Sequence, residues 1–269
     1  MTLTFKNKNL VLIQAKRYWE LLFILVESNL KARYRGSFLG VYWSLLNPLL
    51  MTGIYTAIFG GVFIKYYGDS IANYILAAFT GLAIMHFFAG STSQALRCII
   101  GNHALLNKIA LPVSIFPVSI IAANIFQFLI GSLPLLAILT LVTSGNPLNI
   151  VALFLPLTGL ILVSMGVGFL LATLFVFFRD LPYFYQLLVY ALRIATPVFY
   201  PPDIVPERVR FILEFNPLAS IIESVRQITL YGEAPNWALA STSLLSGTIM
   251  LILGWLCFQL LRERFMDLL

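Results

Sequence analysis

Few side chains in this sequence can do chemistry, and most of those are basic. Lys31, Arg33 and Arg35 stand together just ahead of the first long apolar run, and Arg193 stands alone inside another. A basic cluster at the mouth of an apolar run suits the anionic headgroups of an inner leaflet. An arginine at mid-depth is costly, about 2.5–3.5 kcal/mol on insertion scales. No Asp or Glu lies well inside any apolar run to relieve it. Arg193 is therefore expected to face a watery interior path, or to pair with Glu214 or Glu223 of a later segment. Snorkelling to an interface is the plainer alternative. Glu223 and Arg226 are three apart and spaced to pair on one helical face. His86, among Met85, Phe87 and Phe88, reads as a hydrogen-bonded packing residue.

Catalytic and fuel-binding signatures are missing. The sequence holds no G-x-x-x-x-G-K-[ST] phosphate loop and no G-x-S-x-G, and no His/Cys/Asp/Glu grouping with metal-ligand spacing. Its two cysteines, Cys98 and Cys257, are too few for a disulfide scaffold. Proton-coupled carriers use carboxylates within the membrane, and these apolar runs have none. The expectation is a chain without a cofactor or metal of its own, which either conducts passively or is driven by a partner.

The elements that must position these residues follow from composition. Of 269 residues, 60% are hydrophobic and only 10% charged, with a mean hydropathy of +0.91. A soluble domain has about a quarter of its residues charged, so the bilayer is the expected solvent. Backbone groups must then pair within each segment, and long apolar runs without alternation favour helices. The net charge of +6 sits at the ends of apolar runs rather than in one stripe, which fits lipid headgroups and not nucleic acid.

Six spans are expected, over 39–64, 74–96, 111–142, 148–178, 183–200 and 237–261, giving an all-α membrane protein. With both termini cytoplasmic, the inside segments hold twelve Lys and Arg residues and the outside segments four. That bias follows the positive-inside rule. No short apolar core follows a basic tip at the N-terminus, so the first span is expected to direct insertion. The chain divides into a cytoplasmic N-terminal segment, 1–38, and a six-span transmembrane domain, 39–269. Within the first, 16–31 reads as an amphipathic interfacial helix, with Lys16/Glu20 and Glu27/Lys31 at four-residue spacing. A core helix of a small N-terminal domain is the alternative.

Three further stretches carry position-specific signals. Asn47-Pro48 near the start of the first span reads either as a break with a fresh helical cap or as an ordinary proline kink. The cytoplasmic loop 97–110 offers a partner a socket in Arg97, Asn102, Leu105, Leu106 and Lys108, with Asn102 as the cap of a short helix; the plain reading is a connecting turn. Asp180 reads as the cap of the fifth span. The outer segment 201–236 contains two short helical patterns, about 206–215 and 217–231, with Asn216-Pro217 as cap and first helical position. Fifteen residues reach only about 22 Å, so a hairpin dipping into the outer leaflet is expected, with a flat surface hairpin as the alternative. Tyr42, Trp43, Tyr55, Phe59, Phe87, Phe88 and Tyr190 read singly as packing or interface residues, and together as flat faces for sugar rings.

KARYRGSFLGVYWSLLNPLL (31–50), FRDLPYFYQLLVYALRIATPVFYP (178–201) and FNPLASIIESVRQITLYG (215–232) resemble, in that order, the ABC-2-type permeases of bacterial polysaccharide exporters. The likeness covers about 16–265. It implies a homodimer of six-span subunits in the bacterial cytoplasmic (inner) membrane, worked by two copies of a separate ATPase that binds ATP and Mg. It implies a coupling helix within 97–110, and re-entrant outer (periplasmic) gate helices between spans five and six that contain Asn216, Pro217, Glu223 and Arg226. The implied substrate is a lipid-linked glycan such as O-antigen, capsule or teichoic acid, passing along a central path lined with aromatics; Tyr42, Trp43, Tyr55, Phe59, Phe87 and Phe88 are the candidates for it here, with Arg193 added on the ground of its depth and not of any family motif. Lys31, Arg33 and Arg35 would then meet the pyrophosphate of the lipid carrier, and Asn47-Pro48 would turn the chain upward into the span. An ABC-2 exporter of a small lipid or drug, a passive channel or ion-coupled carrier, and a membrane-embedded transferase are the rival readings.

Overall fold

A computed structural model describes residues 3–106 and 111–265, with side chains from residue 16 onward. Every regular element among the described residues is helical. Helix α1, Leu3–Tyr34, ends with Lys31 and Arg33 in its last turn, where positive charge complements the helix dipole. Its side chains carry the two expected ion pairs, Lys16–Glu20 at 3.9 Å and Lys31–Glu27 at 2.6 Å. Leu22 is buried on one side, while Trp19 and Phe23 are exposed on another.

The chain then turns, but not at Asn47-Pro48. Gly36 adopts a left-handed φ of +78°, which a residue with a Cβ avoids, and the Ser37 amide bonds back to the Tyr34 carbonyl at 2.9 Å. A short 3-10 turn, Gly40–Tyr42, leads into α2, Trp43–Phe63, which continues as one helix through Asn47 and Pro48. Pro48 lies early in the helix, so only the Ser44 carbonyl is denied its partner. The expected break is thus corrected: glycine upstream makes the turn, and proline is carried within the span.

Helix α3, Ile71–Gly101, is capped by Ser70 and is the most enclosed of the long helices, with two-thirds of its most apolar stretch buried. A four-residue helix, α4, His103–Leu106, follows. Helices α5, Ile115–Ile130, and α6, Ser132–Ser144, meet at Gly131 with a 42° bend. Pro134 cannot donate to the Ile130 carbonyl, which explains the interruption. Helices α7, Pro147–Ala152, and α8, Phe154–Phe177, are similarly interrupted at Leu153, where Pro156 cannot donate to Ala152. Helix α9, Leu181–Ala195, is followed by the extended residues Thr196 and Pro201, then by α10, Glu207–Phe215, α11, Pro217–Thr229, and α12, Trp237–Leu261.

Helices α8 and α12 pack backbone to backbone. A Cβ on Gly254 would lie 2.0 Å from the Gly166 carbonyl oxygen, and one on Gly166 would lie 2.3 Å from that of Met250. Small residues at such a seam let membrane helices gain dispersion contact that lipid cannot match. One apolar core joins α3, α8 and α11 through Phe79, Ile84, Leu160, Ile221, Ile222 and Val225. A second joins α1, α4, α5 and α12 through Leu22, Leu106, Ile115, Phe116 and Phe258.

Among the described residues four helices suit a crossing by length and composition, namely Gly40–Tyr67, Ile71–Gly101, Pro147–Phe177 and Trp237–Arg264; the bent α5–α6 pair makes up to a fifth. The expected run over 183–200 gives the 15-residue α9. Thr196 precedes Pro197 and is extended, with φ −97° and ψ 138°, so the helix stops there. Its length of about 22 Å falls short of the roughly 30 Å hydrocarbon thickness.

Candidate functional site

A polar cavity of about 460 Å³ opens where the end of α1 meets α2, α3 and α5. Its lining includes Arg33, Tyr34, Trp43, Asn47, His86, Gln94, Asn124 and Gln127, and no carboxylate. Helical spacing brings them together. Asn124 and Gln127 lie three apart on α5, while His86, Gly90 and Gln94 lie four apart on α3. Arg33 Nη1 donates to Asn124 Oδ1 at 3.2 Å and to Gln127 Oε1. Gln127 Nε2 donates to the Tyr34 hydroxyl. Asn124 Nδ2 donates to Gln94 Oε1 at 3.2 Å and to the Ile120 carbonyl at 2.9 Å.

The site is electrostatically one-sided. Burial pulls the Arg33 pKa down, partly offset by Tyr34, and pushes the Tyr34 phenol up against the opposing effect of Arg33. An arginine remains charged at neutral pH even so. Amide dipoles rather than an acid hold the guanidinium, which leaves its charge available to an anion.

The three basic residues of the sequence cluster separate. Arg33 faces the cavity. Lys31 and Arg35 lie on the other side of α1, exposed, along an open groove that also includes Glu27, Val41 and Phe126. A smaller cavity of about 150 Å³ is lined by Asn47, Pro48, Met51, Leu82, Met85, His86 and Arg193. It shares Asn47 and His86 with the larger one. Arg193 pairs with neither Glu214 nor Glu223, since the ion pairs among the described residues are the two within α1. Its Nε is buried without a hydrogen-bond partner among the described groups. His86 borders both cavities.

The aromatic residues divide by place. Tyr55 stacks on Phe199 at 4.5 Å between ring centroids, and Phe59 on the same ring at 5.5 Å. Phe87 and Phe88 are buried in the core, with Phe87 edge-on to Phe128. Trp43 borders the polar cavity, while Tyr42 and Tyr190 are exposed on the outside.

The loop 97–110 is shorter than expected. Arg97 is an exposed residue of α3 itself, and Asn102 caps the end of that helix by donating from Nδ2 to the Cys98 carbonyl at 2.7 Å. Leu105 is half-buried and Leu106 buried against the α1–α5 core, while Lys108 lies outside the described residues. Asp180 makes no side-chain cap to α9; its main-chain carbonyl accepts from the Tyr183 amide instead.

At the α10–α11 pair, Asn216 caps α11 by accepting from the Leu218 amide and also donates to Thr196 Oγ1 at 2.7 Å, with Pro217 at the first helical position. The expected Glu223–Arg226 ion pair does not form. Arg226 is 2% exposed and donates to main-chain carbonyls, from Nε and Nη2 to Ala77 at 3.1 and 3.0 Å and from Nη2 to Val198 at 2.8 Å. Glu223 is half-buried, and burial raises its carboxyl pKa, with the nearby Arg226 charge opposing and Asp203 adding.

Asn124, Gln127 and Gln94 were missed by the sequence reading. Their signal is an amide inside an apolar run, twice at three-residue spacing on α5, which within a membrane marks an inward-facing polar surface.

The ABC-2 type transporter family model matches residues 20–230, which contain this cavity. Among similar proteins is an O-antigen export system permease protein RfbA of Klebsiella pneumoniae, 32% identical over 253 residues, 93% of this chain and 95% of the relative. Another is the O-antigen export system permease protein RfbA of Myxococcus xanthus, 32% identical over 258 residues, 93% of this chain and 96% of the relative. The match spans the polar cavity, its flanking apolar helices and the α10–α11 pair, so the chain belongs to the ABC-2 type transporter family.

Proposed function

We propose that this chain is the transmembrane permease subunit of an ABC exporter that carries a lipid-linked polysaccharide, of the O-antigen kind, across the bacterial cytoplasmic membrane. The observation that carries this reading is Arg33, held charged by amides in a carboxylate-free cavity at the junction of α1 and α2. A lipid-linked glycan brings an anionic group to that depth, and a guanidinium binds phosphate oxygens with paired donors. Lys31 and Arg35, on the open groove, attract the same headgroup from the leaflet.

The rest of the assembly is read around that site. Residues 1–38 are the cytoplasmic segment, with α1 at the interface, and 39–269 form the transmembrane domain. Six crossings result when α5–α6 counts as one and α9 is completed by the turn and bend after Ala195. Non-helical backbone at membrane depth is tolerated only where protein surrounds it, and the Arg226 bond to Val198 supplies such an enclosure. The α10–α11 pair is a re-entrant outer gate containing Asn216, Pro217, Glu223 and Arg226. Both termini are cytoplasmic. Two copies assemble, and two ATPase subunits supply ATP and Mg binding, docking on the Arg97–Lys108 region through Arg97, Asn102 and Leu105, with Leu106 anchoring the short helix in the core. Of the expected path aromatics, Trp43 and Phe87 border the polar cavity and Tyr55 and Phe59 stack on Phe199, and these four belong to the glycan path; Tyr42, on the outside, and Phe88, in the core, do not line that cavity.

Arg33→Glu tests the carrying observation. The variant is expected to assemble with its ATPase and to lose most export of lipid-linked glycan in a pulse-labelling assay of cells. Export at the unaltered rate would refute the headgroup role.

A further inference from the structure

Two guanidinium groups approach one interior. Arg33 enters the larger cavity from α1, Arg193 enters the smaller from α9, and Asn47 and His86 border both. The four spanning or near-spanning elements around them, α2, α3, α5 and α9, carry no Asp or Glu. Arg193 is half-buried, and its Nε is buried without a hydrogen-bond partner among the described groups; the part of a charge withdrawn from water without a partner carries a cost. At about 30 Å³ per molecule, several waters fit in 150 Å³. Such waters soften the cost without neutralising the charge. An anion does both.

We infer that Arg193, with Asn47 and His86, forms a second, inner station for a phosphate-class anion, connected to the outer station at Arg33. The inference rests on the export reading above and assigns its ligand a further stop. Each station presents N–H donors and no acid, so a diphosphate leaving Arg33 meets Arg193 across the shared wall of Asn47 and His86. The arrangement favours a tetrahedral oxyanion over a single-point ligand, because the guanidinium fork and the Asn47 amide offer several N–H directions at once. The source is either a lipid diphosphate or free pyrophosphate.

The full chain in nanodiscs, titrated separately with an alkyl diphosphate and with inorganic pyrophosphate, tests this. Arg193→Gln is expected to weaken binding by roughly tenfold or more, the range for a lost hydrogen bond to a charged group. Arg193→Lys should recover most of the loss. Without ligand, the Arg193→Gln melting temperature should hold or rise, because an unpaired charge has gone; a merely structural arginine would lower it. Binding restricted to the alkyl compound identifies a lipid headgroup, and equal binding of both identifies the free anion as a ligand; either supports the station. Unchanged affinity in Arg193→Gln, or a loss that Lys does not recover accompanied by a lower ligand-free melting temperature, overturns it. Arg33→Gln separates the two readings: weakened binding there with none at Arg193→Gln removes the inner station and leaves the entry site standing, while unchanged binding in both removes both.

Discussion

Arg226 gives three hydrogen bonds to two main-chain carbonyls, one on α3 and one in the turn and bend after α9. Removing a buried partner costs about 1–3 kcal/mol for each group left unsatisfied. Arg226→Ala should therefore lower the melting temperature of the detergent-solubilised protein clearly, and Arg226→Lys should recover only part, since an ammonium lacks the fork. Glu223 makes a pH prediction. Burial raises its pKa in the folded state, so the folded protein holds a proton the unfolded chain has released. Stability from this group is present below the unfolded pKa and lost as pH rises through the folded one. Glu223→Gln should thus raise the melting temperature at about pH 8 and leave it nearly unchanged at about pH 3, below the ordinary glutamate pKa of about 4.3. Equal shifts at both would contradict this. These residues also show what sequence can carry. The Asn216-Pro217 cap was legible because the amide it caps, that of Leu218, is two residues away. The partners of Arg33 lie 91 and 94 residues away, and those of Arg226 are carbonyls, which no residue type announces.

At the scale of elements, glycine and proline set the joints. The sequence points to Pro48 as a hinge, but a proline early in a helix forfeits little, and Gly36 turns the chain instead. Pro134, Pro156 and Pro197 do interrupt or end helices, each by denying a carbonyl or constraining its neighbour. Hydrophobicity made the long runs legible, and α12 matches its expected bounds, Trp237–Leu261. It could not show where α9 ends, because the apolar residues continue past the helix. The α8–α12 seam gives the clearest element-scale prediction. Gly254→Leu should separate the two helices and lower the yield of folded protein in detergent, since backbone atoms lie where the side chain must go. The equally apolar change Leu253→Ile, on an exposed position of the same helix, should leave yield and melting temperature unaltered.

For the whole molecule, polar groups converge inside while two long helices present apolar faces outward. Helices α2 and α12 each bury only 17% of their most apolar stretch, exposing Ile54, Ile58 and Val62 on one and Leu245, Ile249 and Ile252 on the other. Lipid or a second copy covers such faces, and native mass spectrometry from nanodiscs should give twice the 30.1 kDa chain mass. In the proposed assembly the work comes from a separate ATPase subunit. Reconstituted vesicles measure this directly, with lipid-linked glycan on one side and its appearance on the other followed over time. The prediction is transfer only when the ATPase subunit and ATP are both present, and none with this chain alone. Steady transfer by this chain without them would contradict it.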